Sequence, residues 1–181
     1  MGTEGQFIIG FSVHNRAGDT PCLILHLEQL HKQTGGRLPN KIVANAAYSN
    51  EENYAYLEQH NVENFLKYNT FYQDTHRYRN PEVVRAHQFR AEHFAYDPAS
   101  DTFICPAYKC LYFKYTSRYT SDNGYQSQRH TYECFDCAEC PLRSQCTRAR
   151  GTRKIRISFR LLEYRRKARE NLTERVMHIA P

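Results

Sequence analysis

The order of short apolar runs and amphipathic segments in the first part of the chain constrains the fold more than any other feature. Apolar runs at 7–13, 41–48 and 63–68 have the length of buried strands. The segments between them, 21–34 and 51–60, carry apolar side chains at helical spacing and begin at residues that favour helix starts. Parallel strands need such crossover connections. The sequence therefore predicts an α/β fold with a parallel sheet and flanking helices.

Two β-hairpins are predicted in the middle of the chain. The first spans residues 94–104 and turns at an Asp-Pro-Ala-Ser-Asp run. The second spans residues 111–134 and turns at Asn123-Gly124, a dipeptide typical of tight hairpin turns. Before them, Pro81 can open a short helix that ends near Arg90. This part of the chain is therefore expected to be a small β region.

Positive charge is concentrated toward the end of the 181-residue chain. The net charge is +6, but residues 143–169 contain eleven Lys and Arg against one acid, Glu163. Within them, apolar and cationic side chains alternate over 154–160, which predicts a half-buried strand, and a basic helix follows at 161–172. Such a block indicates a polyanion partner, with a solvated face or a linker as the alternative. The candidates for phosphate contact are Arg148, Arg150, Arg153, Lys154, Arg156 and Arg160.

Four cysteines form a dense pattern, Cys-x2-Cys-x2-Cys-x5-Cys, over residues 134–146. Two more, Cys105 and Cys110, lie one hairpin earlier. No signal peptide is recognisable, and cytosolic thiols stay reduced, so metal binding is favoured over disulfides. Paired thiolate knuckles are typical of structural, four-coordinate zinc sites. The predicted zinc ligands are four of Cys105, Cys134, Cys137, Cys140 and Cys146.

The choice of ligands and of metal stays open at this stage. The chain offers more thiols than one zinc ion needs, and His130 is an alternative ligand. An iron–sulfur cluster is the main rival, because ferredoxin motifs also begin Cys-x2-Cys-x2-Cys. In those motifs the fourth cysteine follows after three residues and precedes proline, whereas here the gap is five and Pro141 follows the third cysteine. Zinc is preferred to the absence of metal, and iron–sulfur comes last.

Several ordered motifs resemble those of bacterial insertion-sequence transposases of the DDE class. Residues 43–54, Val-Ala-Asn-Ala-Ala-Tyr-Ser-Asn-Glu-Glu-Asn-Tyr, are similar to a signature that in this family usually reads Ala-Asp-Ala/Gly-Gly-Tyr. Residues 93–97, 105–107 and 134–147 are similar to the family's cysteine-containing insert. The resemblance extends over about 5–172. It implies a partial RNase H-like sheet with flanking helices and a small cysteine-rich β-hairpin insert.

The resemblance also implies two-metal phosphoryl transfer on DNA. In the family, three carboxylates (Asp, Asp, Glu) hold two Mg²⁺ ions that activate the nucleophile and stabilise the leaving oxygen. The second Asp corresponds to Asn45, a neutral residue. The first corresponds to a position before Gly5 and the third to one beyond the basic helix, so a truncated fragment is expected. Such a chain is expected to bind DNA, but neither to cut it nor to hold Mg²⁺.

The predicted organisation has three parts. They are a partial core at 1–72, a hairpin and cysteine-rich insert at 73–150, and a basic strand and helix at 151–181 that return to the core. The exposed edges of a partial sheet favour pairing with the remaining transposase chain or with a second copy. No apolar run is long enough to cross a membrane, so a cytoplasmic protein is expected.

Two other functions compete with that of an inactive transposase fragment. The first is a zinc-stabilised nucleic-acid-binding module without catalysis. The second is a nuclease that uses Asp19, Glu51 or Glu52. These acids have simpler explanations as helix caps and first-turn residues, where negative charge favours a helix.

Overall fold

The computed structural model describes residues 2–4, 7–75 and 81–179, and the chain forms two compact units. The first unit consists of Met1–Phe71, Ser121–Tyr125 and Glu163–Pro181, and the second of Tyr72–Thr120 and Gln126–Leu162. Both units contain helices and strands, which confirms the mixed α/β class. Within the described ranges, no helix is both long enough and apolar enough to cross a membrane.

The first unit alternates helices with short strands. Its elements begin with β1 (Gly2–Glu4), β2 (Phe7–Gly10), α1 (Cys22–Gln33), β3 (Lys41–Ala44), α2 (Glu51–Gln59) and β4 (Glu63–Leu66). β3 and β4 pair in parallel, with Val43 beside Phe65, and α2 connects them, whereas β1 and β2 pair antiparallel. Of the three strands predicted to form a parallel sheet, β3 and β4 pair in parallel in the described part of this unit, whereas β2 lies in a separate antiparallel pair with β1. β2 ends at Gly10 instead of Val13, because Phe11 and Val13 are exposed and gain no burial from a strand.

β3 ends earlier than the sequence predicts. The chain leaves the strand after Ala44 and forms a 3₁₀ turn at Ala46–Tyr48. Asn45 accounts for the break, because its Oδ1 accepts a hydrogen bond from the backbone N–H of Ala47 at 2.9 Å. Such local bonds compete with the hydrogen bonds of a strand.

α1 and its end agree with the prediction from leucine spacing. Leu23, Leu27 and Leu30 form its buried face. The helix is closed by Gly36, whose N–H donates to the carbonyl of His31 at 2.8 Å. Gly36 has a φ of 86°, a backbone conformation that favours glycine at a helix end.

α2 also begins where the sequence predicts. Asn50 Oδ1 accepts a hydrogen bond from the backbone N–H of Asn53 at 2.8 Å. Glu51 and Glu52 lie in the first turn, where the helix dipole favours negative charge. Leu57 on the opposite side is fully buried, so the cap and the apolar face together define this helix.

The second unit is built on a five-stranded antiparallel sheet. The elements from Phe71 onward are α3 (Phe71–Thr75), α4 (Pro81–Gln88), β5 (Ala95–Asp97), β6 (Thr102–Ile104), β7 (Cys110–Thr120), β8 (Gln126–Glu133), α5 (Arg143–Cys146) and β9 (Lys154–Ile157). Each strand pairs with the next one along the chain, so both predicted hairpins are confirmed. The core of this unit includes Phe94, Phe103, Leu111, Tyr132 and Ile155.

β9 has the predicted alternation of buried and exposed side chains. Ile155 and Ile157 are buried, and the cations between and before them are exposed. The strand ends at Ile157, earlier than predicted, because the last helix, α6, already begins at Phe159 and runs through Phe159–Ile179. Ser158 Oγ accepts the backbone N–H of Leu161 at 3.3 Å, as a helix-capping serine does.

From Glu163 onward α6 belongs to the first unit. The Tyr164 ring stacks on the Tyr54 ring with centroids 5.5 Å apart. The Tyr164 hydroxyl donates to Glu58 at 2.8 Å, and the Asn171 amide donates to the carbonyl of Asn64 at 3.0 Å. These contacts pack α6 against α2 and β4.

Candidate functional site

A small cavity in the second unit is surrounded by cysteines. Its volume is about 20 Å³, which is enough for one water-sized particle or ion. Among its lining residues are all five cysteines of the predicted metal set, Cys105, Cys134, Cys137, Cys140 and Cys146. Their thiols are free. The sequence pattern therefore identified side chains that lie around one cavity.

Short turns at the ends of strands bring these cysteines to the cavity. Cys105 directly follows β6, and its N–H donates to the carbonyl of Lys109 at 3.0 Å, which closes a tight loop. Cys134 directly follows β8, and its N–H donates to the carbonyl of Arg153 at 3.0 Å. Cys146 is the last residue of α5. The sheet and one short helix thus position the sulfurs.

Burial makes two thiols in this cavity, those of Cys134 and Cys146, weaker acids. It raises the pKa of Cys134 to about 12, and a hydrogen bond with Cys137 contributes in the same direction. Burial also raises the pKa of Cys146. The Cys137 thiol accepts the backbone N–H of Arg153 at 3.4 Å. The neutral thiol is therefore favoured at Cys134 and Cys146 unless a nearby cation stabilises the thiolate.

No three of these sulfur atoms converge as closely as the ligands of a bound zinc ion do. Zn–S bonds of about 2.3 Å place the sulfurs of a tetrahedral site roughly 3.8 Å apart. In the part of the chain that the structure describes, three potential metal-ligand atoms lie within 4.8 Å of one another at Asp74, His87 and His93. No such group is found among the described cysteines. Zinc binding in the cavity would require the thiols to move closer together.

The side chains of Asp74, His87 and His93 were not identified from the sequence. They lie on α3, on α4 and on a 3₁₀ turn at Ala91–His93. Their spacing along the chain matches no metal-binding motif, so only the packing of these elements brings them together.

Asn45, predicted to occupy the position of a catalytic carboxylate, lies directly after β3 and is exposed. Its Oδ1 accepts the N–H of Ala47. A cleft of about 530 Å³ in the first unit is lined by Ala44 and Tyr48, on either side of Asn45 in sequence, and its one acidic lining residue is Asp19. Mg²⁺ sites depend on carboxylates. The residues at this position therefore do not fit a two-magnesium site.

Five of the six predicted phosphate contacts, all except Arg153, are exposed. Arg148 and Arg150 lie on the loop between α5 and β9, and both are exposed. Arg156 lies on β9, opposite Thr131 of β8, and is also exposed. Arg160 is exposed in the first turn of α6.

Arg153 and Lys154 make identified contacts within the second unit. The Arg153 guanidinium donates to the carbonyl of Phe89 at 2.9 Å and lies 5.8 Å from the centroid of the Phe94 ring. Lys154 Nζ lies 3.4 Å from a carboxylate oxygen of Glu133. Arg153 and Lys154 therefore have structural roles besides any contact with phosphate.

Arg143 organises the loop that carries the exposed arginines, a role that sequence analysis missed. Its guanidinium donates to the carbonyls of Arg150 at 2.7 Å, Gly151 at 2.9 Å and Ala149 at 3.3 Å. A further bond reaches the carbonyl of Cys137 at 3.3 Å. One half-buried side chain with several donors thus connects Cys137 to the loop of Ala149, Arg150 and Gly151.

Glu133 at the end of β8 forms a second network. It forms ion pairs with Lys114 and Lys154 and accepts a hydrogen bond from the Thr152 hydroxyl. The hydrogen bonds from Lys114 and Thr152 lower the pKa of Glu133 to about 2. This carboxylate is therefore charged at neutral pH and links three strands of the sheet.

Residues 104–179 of the chain match a family model described as a transposase DDE domain. The matched segment contains the second hairpin, the cysteine pattern at 134–146 and the basic segment at 143–169. No curated protein and no solved structure matches the chain.

Proposed function

We propose that this chain contacts DNA during transposition. The premise is that the family match over residues 104–179 supports a DDE transposase from an insertion element. Transposases act on DNA. The observation that carries the proposal is the exposure of Arg148, Arg150, Arg156 and Arg160 within the matched segment. Exposed guanidinium groups can bind phosphate oxygens with two parallel hydrogen bonds.

The loop that carries Arg148 and Arg150 supports this proposal. Arg143 holds the carbonyls of Ala149, Arg150 and Gly151, so the loop backbone is ordered by the protein itself. Ordering before binding lowers the entropy cost of forming the complex. We therefore expect Arg148 and Arg150 to contribute more to DNA affinity than two arginines on a disordered tail.

The six basic candidates are expected to contribute unequally. Arg153 is engaged with Phe89, and Lys154 is close to Glu133, so both would have to share or leave a partner to reach phosphate. We therefore propose Arg148, Arg150 and Arg156 as the principal contacts, with Arg160 beside them.

The direct test is fluorescence anisotropy with a labelled DNA duplex at low salt. The combined substitution Arg148→Gln, Arg150→Gln and Arg156→Gln should weaken binding on the order of tenfold or more, because three phosphate contacts are lost. A control matched in charge replaces three exposed cations of the first unit, Arg16, Lys32 and Arg37, by Gln. If the arginine variant and the control bind DNA equally well, the basic segment is not the binding surface.

We also propose that the fold is RNase H-like and that this chain does not cleave DNA by itself. The β3–α2–β4 crossover supports the first claim. For the second, DDE transposases use a divalent metal such as Mg²⁺. Asn45 supplies a neutral amide, whose oxygen already accepts a backbone hydrogen bond, where the family has a carboxylate.

A structural zinc ion in the cysteine cavity is a further part of the proposal. The support is that five thiols line one cavity of about 20 Å³. Thiolates are preferred zinc ligands, and a bound cation would offset the burial that raises the pKa of Cys134. Its role would be to hold the segment after β8 against the loop after β6.

A zinc-stabilised nucleic-acid-binding module that acts alone is the alternative function. It shares the DNA and zinc claims, so its oligomeric state separates it from a transposase segment. A module of this kind should bind DNA as a monomer. A transposase segment is expected to associate with a second copy or with the remaining transposase chain, and sedimentation of the chain with and without DNA distinguishes the two.

A further inference from the structure

We infer that Asp74, His87 and His93 form a second metal site, which takes Zn²⁺ or a chemically similar divalent transition-metal ion. One carboxylate oxygen of Asp74 and one ring nitrogen of each histidine lie within 4.8 Å of one another. The site lies in the second unit, uses nitrogen and oxygen ligands, and shares no residue with the cysteine cavity. It does not depend on the proposed DNA-binding function.

The distances are close to those that a zinc ion imposes. Bonds of about 2.0–2.2 Å to nitrogen and oxygen place neighbouring ligand atoms roughly 3.2–3.6 Å apart in a tetrahedral site. His93 Nε2 lies 3.4 Å from Asp74 Oδ1, within this range. The His87 and His93 rings have centroids 5.4 Å apart and an interplanar angle of 72°, so their edges can face a shared point. The other two ligand distances are at most 4.8 Å, so binding would draw the His87 nitrogen closer to the other two ligand atoms.

The backbone around the two histidines is ordered independently of any ion. The N–H of Arg90 donates to the carbonyl of His87 at 3.0 Å, and the N–H of His93 donates to the carbonyl of Arg90 at 3.0 Å. The next residue, Phe94, belongs to the buried core of the sheet. The histidines are therefore fixed to the core of the second unit, and the carboxylate of Asp74 approaches them from α3.

The chemistry of the three side chains selects the class of ion. Two imidazoles and one carboxylate suit Zn²⁺ and related transition metals, whereas Mg²⁺ and Ca²⁺ prefer oxygen ligands alone. Burial lowers the pKa of His87, which favours the neutral imidazole that binds metals. The Asp74 side chain is 7% exposed and the His93 side chain 32% exposed. Solvent can therefore reach the His93 side and fill a fourth position.

Binding at this site would join α3 to the segment that packs on the sheet. Phe89, two residues after His87, lines the cysteine cavity, and Phe94 follows His93 in the core. An ion would thus add a link between α3 and these two aromatic anchors. The competing arrangement is a plain ion pair between His93 and Asp74 without metal.

The test is NMR of the histidine ring nitrogens in the ¹⁵N-labelled full chain, titrated with Zn²⁺. Among the nine histidines, the ring signals of His87 and His93 should shift on addition of zinc. His93→Gln, at an exposed position that tolerates replacement, should abolish the zinc response of His87. His60→Gln in the first unit is the matched control and should leave the response of both histidines unchanged.

Metal content separates this site from the cysteine cavity. His93→Gln should lower the bound zinc by about one ion per chain and leave the reactivity of the cysteines toward a thiol reagent unchanged. Ring signals of His87 and His93 that do not respond to excess zinc would overturn the inference. Equal zinc content in His93→Gln and the wild-type chain would overturn it as well.

Discussion

Asn45 affects both local structure and chemistry at the scale of a single residue. Its side chain caps the 3₁₀ turn at Ala46–Tyr48 and thereby ends β3. Its amide is also neutral, so at the position proposed to correspond to a catalytic carboxylate it brings no negative charge for Mg²⁺. An aspartate could form the same cap, so the cap alone does not require asparagine. The two consequences can therefore be separated by substitution.

Asn45→Asp is expected to leave Mg²⁺-dependent cleavage absent. The variant keeps an acceptor for the N–H of Ala47 but adds one carboxylate, whereas the family's reaction uses three. Plasmid nicking in Mg²⁺ and Mn²⁺, with the wild-type chain alongside, measures the outcome. Strand cleavage by the single variant would contradict the account. Cleavage by the wild-type chain that disappears in Asp19→Asn or Glu51→Gln would favour the nuclease alternative.

Because the pKa of Glu133 is lowered in the folded chain, the second unit is expected to lose stability in acid. Its folded pKa is about 2, below the ordinary value of 4.5, because Lys114 and Thr152 bond to the carboxylate. A depressed folded pKa means that the stabilisation is present above pH 4.5 and is lost as the pH falls toward 2. The free energies of unfolding of the wild-type chain and of Glu133→Gln, measured in urea, should therefore differ near neutral pH and become equal toward pH 2.

Asp122→Asn is the control for this experiment, because Asp122 is exposed in the hairpin turn. The free energy of unfolding of Asp122→Asn should not approach that of the wild-type chain in the same way as the pH falls toward 2. If the difference in the free energy of unfolding between Glu133→Gln and the wild-type chain stays constant from neutral pH to pH 2, the charged Glu133 carboxylate is not the source of the stabilisation.

At the scale of elements, two boundaries were predictable from residue types that are typical of helix caps and tight turns. Asn50 defines the start of α2, and Gly124, with a φ of 86°, closes the turn of the second hairpin. The end of β3 was missed because residues 41–48 are apolar enough for one continuous strand. The start of α6 was missed because the alternation of β9 continues in sequence past Ser158, which caps the helix.

Asn50→Ala is expected to destabilise the first unit by about 1 kcal/mol, since the cap to the N–H of Asn53 is lost. Asn50→Asp is the matched control, because aspartate keeps the acceptor and adds a charge that the helix dipole favours. Urea unfolding monitored by circular dichroism measures both. Equal destabilisation by Ala and Asp would show that the cap does not account for the helix start.

At the scale of the whole molecule, sequence patterns found the cysteine cavity but not the second ligand cluster. The cysteines follow a recognised spacing, and the five selected ones line a common cavity. Asp74, His87 and His93 follow no such spacing and meet only through the packing of α3, α4 and a 3₁₀ turn. The pairing of β9 with β8, across the intervening cysteine segment, likewise depends on contacts that local patterns do not encode.

Zinc in the cysteine cavity should be measurable as about one ion per chain that depends on the thiols. Cys137→Ser should lower the zinc content of the reduced protein and its thermal stability. Cys22→Ser is the matched control, because Cys22 lies on α1 in the first unit and outside the cavity. Cysteine-dependent iron, or zinc that is unaffected by Cys137→Ser, would contradict the assignment.

The central claim is that the exposed arginines of the matched segment bind DNA phosphates, and the salt dependence of DNA affinity tests it most directly. Three or four phosphate contacts predict that log K falls with log salt with a slope of roughly −2.7 to −3.6. The variant of Arg148, Arg150 and Arg156 should show a slope that is shallower by about 2–3. Affinity that is independent of salt, or no binding at low salt, would contradict the account.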